Sequence, residues 1–215
     1  YISLFFIVLL AQPGVNAQTT AQKTQEEKAE MVRLKQGAKT LDDQGKYAEA
    51  EKQYRILQTL QERLLGKEDP ETLKSQHSVA RMLFKQERGV DAEQAFRLLL
   101  PIRERVLGVE HEGTLATRLG IGAALQRQGE YAKAEKEYRD VLAIQERVLG
   151  LDHSDCLFTR NNIATLLIER GKYAEALDEY RIVVAIQRRV RGAEHPDTLM
   201  SRDNLGMALY YLGRK

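Results

Sequence analysis

Cysteine is almost missing from this sequence: Cys156 is the only one among 215 residues. No internal disulfide is possible, so the folded state rests on packing alone. Tryptophan is absent, aromatic residues make up only 7% of the chain, and there are only four prolines. Strand-like runs are confined to the first ten residues, and helix formers dominate the rest. Neither sign of charge is in real excess, with 33 basic against 31 acidic residues and a net charge of +2. That balance gives no footing for nucleic acid as a partner. The usual signatures of chemistry are missing too. There is no H-E-x-x-H, no phosphate-binding P-loop, no G-x-S-x-G and no pair of cysteines. Gly120-Ile-Gly122 falls inside an expected helix and follows no strand, so it is not a phosphate loop. With 43% hydrophobic and 30% charged residues, the composition is that of a folded, surface-rich protein.

One apolar run stands apart. Tyr1 to Leu10 is almost wholly apolar and is followed by AQPGVNAQ at residues 11–18. An apolar core of about eleven residues is too short to span a bilayer but suits the central region of a secretory signal. Val15 and Ala17 offer small residues for cleavage just after Ala17. We therefore expect residues 1–17 to act as a signal for export to the periplasm or outside. The alternative is a membrane anchor formed by a longer N-terminal segment. Residues 18–27 read as a linker.

From about residue 28 the chain repeats. Gly66, Gly108, Gly150 and Gly192 are spaced by 42 positions. The same interval links Tyr54, Phe96, Tyr138 and Tyr180, then Arg55, Arg97, Arg139 and Arg181, and then Leu73, Leu115, Leu157 and Leu199. Each period holds two helices. In one unit the first runs from Ser154 to Arg170, with Leu157, Ile163, Ala164, Leu166 and Leu167 at helical spacing, and Gly171 ends it. The second runs from about Tyr173 to Arg191 and stops at Gly192. Pro70 and Pro196 suit the first turn of the following helix, where the missing N–H costs nothing. Neither helix can bury its apolar stripe alone, so the hairpins must stack on one another as a solenoid. The expected fold is all-α, an α-solenoid of antiparallel hairpins with about four and a half repeats. Their bounds are about 28–66, 67–108, 109–150, 151–192 and a truncated 193–215.

A 42-residue period fits several helical repeats, and the internal spacing decides among them. Small residues Ala38, Ala80, Gly122, Ala164 and Gly206 sit midway along the first helices. Twelve positions on come Ala50, Ala92, Ala134 and Ala176, and four further on the aromatic. This pattern resembles the tetratricopeptide repeat. The exit loops, RVLG-x-E-H at Arg105–His111 and RVRGAEHPDTL at Arg189–Leu199, resemble the kinesin-light-chain class of that repeat. So do GKYAEA at Gly171–Ala176 and RNNIA at Arg160–Ala164. Unit two departs from the pattern, with Gly89–Val90 in place of the Gly-Lys-Tyr turn. The resemblance implies a right-handed superhelix, no catalytic residues and no cofactor. It also implies a concave groove, lined by the first helices, that holds a protein or an extended peptide.

Projecting the first helices at 100° per residue gives the groove a composition. Lys35, Gln36 and Lys39 come from unit one, and Lys74, His77, Ser78, Arg81 and Lys85 from unit two. Unit three offers Ala116, Leu119, Gly120 and Ala123, a bare wall. Unit four gives Phe158, Asn161, Asn162, Thr165 and Glu169; unit five gives Met200, Asp203, Asn204, Met207 and Tyr211. The groove should then be basic at its N-terminal end, shallow in the middle, and amide and apolar at the far end. The expected ligand is an extended peptide with an acidic segment and an apolar anchor, the latter near units four and five. The resemblance implies that asparagines at the positions of Asn162 and Asn204 hold the ligand backbone.

Cys156 sits where other units carry Thr72, Thr114 and Thr198, so it reads as a small buried side chain. His111, His153 and His195 recur once per exit loop. Packed helices lie about 8–10 Å apart, so these rings cannot converge on one metal ion at about 2 Å; packing or capping at the helix entry suits them better. The leading function is a non-catalytic interaction scaffold. The alternative is a sensor or docking arm of an enzyme or NTPase whose catalytic domain lies beyond Lys215. Leu205 and Leu209, with no second helix after them, should face solvent.

Overall fold

The computed structural model describes residues 13–213, with side chains from Gln22 onward. Residues 1–12, which hold most of the expected export signal, lie outside the described residues. The described residues form α-helices and no strands: α1 (Pro13–Asp43), α2 (Tyr47–Leu64), α3 (Pro70–Lys85), α4 (Gly89–Leu107), α5 (Glu112–Arg127), α6 (Tyr131–Leu149), α7 (Ser154–Glu169), α8 (Tyr173–Arg191) and α9 (Pro196–Leu212). Each helix packs on the next along the chain, and α3 also touches α5 directly. The expected linker at residues 18–27 is part of α1. Its Gln, Glu, Lys and Ala residues are strong helix formers.

Two turns alternate. Within a hairpin, the amides of Lys46, Arg88, Glu130 and Lys172 reach back to the carbonyls of Leu41, Leu83, Leu125 and Leu167 at 2.9–3.1 Å. This closure requires a left-handed residue just before the donor. Gly45, Gly129 and Gly171 supply it with φ of 74°, 79° and 71°. In unit two the residue is Glu87, at φ 64°. So unit two makes the same turn as its neighbours, with a strained residue where they have glycine. The departure that the sequence suggested at Gly89–Val90 is a change of residue, not of geometry.

Between hairpins, each first helix is capped by a side chain. Asp69 accepts from the Glu71 amide at 2.8 Å. His111, His153 and His195 accept through Nδ1 from Gly113, Asp155 and Asp197 at 3.0, 3.2 and 3.2 Å. The repeated histidines are therefore helix N-caps, and the bond needs Nδ1 without its proton.

The core follows the repeat columns. Ala38, Ala80 and Ala164 are fully buried, as are Ala50, Ala92, Ala134 and Ala176. The aromatics Tyr54, Phe96, Tyr138 and Tyr180 wedge beside these crossings and are all buried. The arginine column also has a partner. Arg55, Arg97 and Arg139 each pair with the glutamate one turn back, Glu51, Glu93 or Glu135. Cys156 is fully buried, and its Sγ donates to the Gly150 carbonyl at 3.2 Å. Thr72 Oγ1 donates to the matching Gly66 carbonyl at 2.8 Å, so the thiol stands in for a hydroxyl. At the last helix, Leu209, Tyr210 and Leu212 are exposed. Leu205, expected to face solvent, instead packs against the cluster of Ala164, Leu177, Tyr180 and Ala208.

Candidate groove on the first helices

The inward-facing residues of α3, α5 and α7 enclose a hollow of about 610 Å³. Its near wall is His77, Arg81 and Phe84, and its far wall is Phe158, Asn162 and Glu169. Between them Ala116, Leu119, Gly120 and Ala123 recede, and the rings of Phe96 and Tyr138 form part of the lining. Gly120 is needed there: a Cβ would lie 2.6 Å from the Phe96 ring. The middle of the groove is thus hollow, where the sequence suggested a shallow wall. Small residues flanked by bulky ones on both sides leave a pit, because the flanking helices set the rim height.

The rim differs from side to side. Arg127 lies over the Phe84 ring at 4.4 Å, a cation–π contact that holds both against the wall. Gln126 donates to Glu169 at 2.9 Å and accepts from the Tyr138 hydroxyl at 3.1 Å. Phe158 is 59% exposed, a ring left in water beside an apolar pit.

Of the residues expected to line the groove, His77 and Arg81 from unit two, Ala116, Leu119, Gly120 and Ala123 from unit three, and Phe158, Asn162 and Glu169 from unit four come together at this hollow. His77 is half-buried, with its ring 5.2 Å from that of Phe96 and its Nδ1 buried without a partner. Burial, then the nearby charges of Arg103 and Arg81, push its pKa down to about 3, so it is neutral at physiological pH. Asn161 points elsewhere, its Oδ1 buried with no partner. The Thr165 hydroxyl lies 3.2 Å from that of Tyr180. Asp203, Asn204 and Met207 are on α9, apart from the hollow.

The basic end is partly neutralised by its own acids. Lys35 and Lys74 share Glu71 at 2.9 and 2.7 Å, and the bonds from Lys74 and then Lys35 hold the Glu71 carboxyl below its usual range. Arg81 and Lys85 share Asp42 at 2.8 and 2.5 Å. Each cluster thus keeps one surplus positive charge rather than two. Lys39 is exposed. Phe84, Gln126 and Arg127 were not expected at the site. Their signal was present in the register, since Phe84 and Gln126 share a column 42 apart and Arg127 shares that of Lys85 and Glu169, but the stripe projected for unit three ended at Ala123 and that for unit two passed over Phe84.

Family models and solved structures agree with this geometry. The model of the tetratricopeptide repeat matches residues 74–147, 115–181 and 155–215. Among solved structures, the chain is similar to the nearly identical tetratricopeptide-like repeats of a protein from Podosopora anserina assigned as a kinesin light chain. The match has 26% identity and a TM-score of 0.73, and covers 86% of this chain and 88% of that one. A single-site variant of the same repeats matches equally, over 87% of its length. BtubC (BKLC) from P. vanneervenii shares the fold at 18% identity and a TM-score of 0.74, covering 92% of this chain and 78% of that one. No curated protein matches the chain. The 42-residue register, the paired helices stacked in sequence and the family matches over most of the repeats lead to one assignment: the chain belongs to the tetratricopeptide repeat family, with kinesin-light-chain-like repeats.

Proposed function

We propose that the chain is a non-catalytic interaction module that holds an extended segment of another protein along α3, α5 and α7. A bulky apolar side chain of that segment sits in the hollow over Gly120. The observation that carries this reading is the hollow itself. It is concave, its floor is apolar, and Phe158 stands half in water at its edge. Pockets of a few hundred Å³ with an apolar floor and a few polar groups are the usual form of a binding site. Around it Asn162, Gln126 and Arg81 offer donors and acceptors to a peptide backbone. The partner is a protein or peptide; no described helix is long and apolar enough to cross a membrane. An export signal in residues 1–17, read from their apolar sequence, belongs to the same proposal and is tested by secretion of a reporter fused after residue 27.

A displayed library of random peptides panned on the repeats tests the binding reading. Enriched sequences should share one large apolar residue, and Ala116→Trp, which fills the hollow from an exposed position, should weaken them at least tenfold without lowering the melting temperature. Enriched peptides indifferent to Ala116→Trp would place the site elsewhere.

A further inference from the structure

Unit two lacks an ion pair that the next two units share. Arg118 on α5 pairs with Glu137 on α6 at 3.1 Å, and 42 residues further on Arg160 on α7 pairs with Glu179 on α8 at 2.5 Å. Each arginine rises from a first helix and is mostly buried, with 20% and 15% of its side chain exposed. Arg160 also bonds Glu146 on α6, and so joins the second helices on either side of it. The matching positions in unit two are Gln76 and Ala95, which cannot form the pair. Glu62, the counterpart of Glu146, is kept.

The loss of both partners leaves a hollow of about 300 Å³ between α2 and α4. Val79 and Leu83 of α3 form its floor, and Ala95 and Leu98 of α4 form one wall. It shares no lining residue with the central hollow. Gln58 and Gln76 also line it, and both donate to Glu62, at 2.8 and 3.3 Å. Their side-chain carbonyl oxygens are left as acceptors. Glu62 is half-buried, and among the described residues no cation pairs with it. A sheltered carboxylate answered only by amides attracts a cation strongly. Arg55 at the rim does not meet that need, being held by Glu51 at 2.8 Å. Nor does it exclude a second cation. In unit four its counterpart Arg139 stands beside Arg160, and both reach Glu179.

We infer that this hollow receives an arginine side chain of a partner protein, which fills from outside the space that Arg118 and Arg160 fill from within. Its stem lies along Val79, Leu83 and Ala95, and its guanidinium meets Glu62 and the two amide oxygens. A planar guanidinium with five donors suits a carboxylate and two carbonyls better than a lysine ammonium does. Leu98, 68% exposed, adds an apolar lip. Residues beside the arginine on a protein surface would cover that lip, whereas a free amino acid would leave it in water.

The test has two arms. Nitrogen-15 NMR follows the Ala95 and Leu98 amides and the Gln58 side-chain amide during titration with N-acetyl-arginine N-methylamide at constant ionic strength. Its citrulline counterpart, similar in shape but uncharged, serves as the comparison. The arginine compound should shift these signals saturably, and the citrulline compound should not. The shifts should vanish in Gln76→Arg, which refills the hollow from within, and in Glu62→Gln. They should persist in Ala116→Trp, which fills only the central hollow. Signals that do not move, or that move alike with citrulline or in Gln76→Arg, overturn the site. In the second arm, random peptides are panned on the Ala116→Trp repeats. Enriched peptides should carry an arginine, and changing it to citrulline, or adding Gln76→Arg to the repeats, should weaken binding at least tenfold. Peptides indifferent to both changes overturn this inference and leave the groove reading standing. A saturable arginine response with no peptide enriched overturns the protein source of the arginine. Peptides selected on the wild type that ignore Ala116→Trp yet are lost with Gln76→Arg would support this site and sink the groove reading instead.

Discussion

Glu87→Gly should stabilise the junction between α3 and α4. Glu87 is held at φ 64°, a conformation that costs an ordinary L-residue about 1–2 kcal/mol. Glycine removes that strain but gives the unfolded chain more freedom, which returns about 0.4–1 kcal/mol. The pair that Glu87 makes with Arg127, at 3.7 Å and with the Glu87 side chain 87% exposed, contributes little. The balance favours glycine by about 0.5–1 kcal/mol. Helical repeats open locally, so the sensitive assay is native-state hydrogen exchange. The Glu87 and Arg88 amides, bonded to the Phe84 and Leu83 carbonyls, should exchange about two- to fivefold more slowly in the variant. Glu87→Ala, which keeps the positive φ and drops the ion pair, should show no such protection. Equal or faster exchange in Glu87→Gly would refute the view that a left-handed turn residue is the strained element of this unit.

Three further outcomes follow from the same packing. Gly122 and Gly206 share a column, yet a Cβ on Gly122 would lie 2.6 Å from the Tyr138 ring, while nothing lies within 4 Å of one on Gly206. Gly206→Ala should gain about 0.5–1 kcal/mol from helix propensity, and Gly122→Ala should lose about 1–2 kcal/mol by overpacking, measured by urea unfolding; equal effects would contradict the crossing geometry. Cys156→Thr should hold stability within about 1 kcal/mol, since the hydroxyl can donate to Gly150 as Thr72 does to Gly66, whereas Cys156→Leu should unfold unit four in the same melts. His77 has a folded pKa of about 3 against an ordinary 6.5, so below pH 6.5 the unfolded chain takes up a proton that the folded chain refuses. Stability should therefore fall as pH drops from 6.5 toward 3, by on the order of 1–2 kcal/mol at pH 5, and this part of the slope should be missing in His77→Gln. Identical pH profiles for the two proteins would mean that the His77 ring is not desolvated.

The repeat was legible because its signals are local and recur. Gly108, Gly150 and Gly192 sit at φ 86–97° with extended ψ, a region that only glycine reaches easily, so they mark every exit loop in the sequence. Cys156 could be read from the threonines of its column. What the sequence hid depends on distance between repeats. Arg81 meets Asp42 across 39 residues, so a cation that looks free along its own helix turns out to be shared. The central hollow was hidden for the same reason. Ala116, Gly120 and Ala123 are small in the sequence, but a pit exists only because Phe84 and Phe158 on the flanking helices stand higher. Gln76 was visible as the odd residue in the column of Arg118 and Arg160, and the hollow it leaves became apparent only with α2 and α4 packed on both sides of it.

The groove itself is tested most directly by mapping where a panned peptide lies on the repeats. Amide shifts and transferred saturation should fall on Ala116, Leu119, Gly120, Phe158 and Asn162, which face the hollow, and spare the outward residues of α6 and α8. A footprint centred instead on those second helices, for example on the exposed Ile182, would contradict the account.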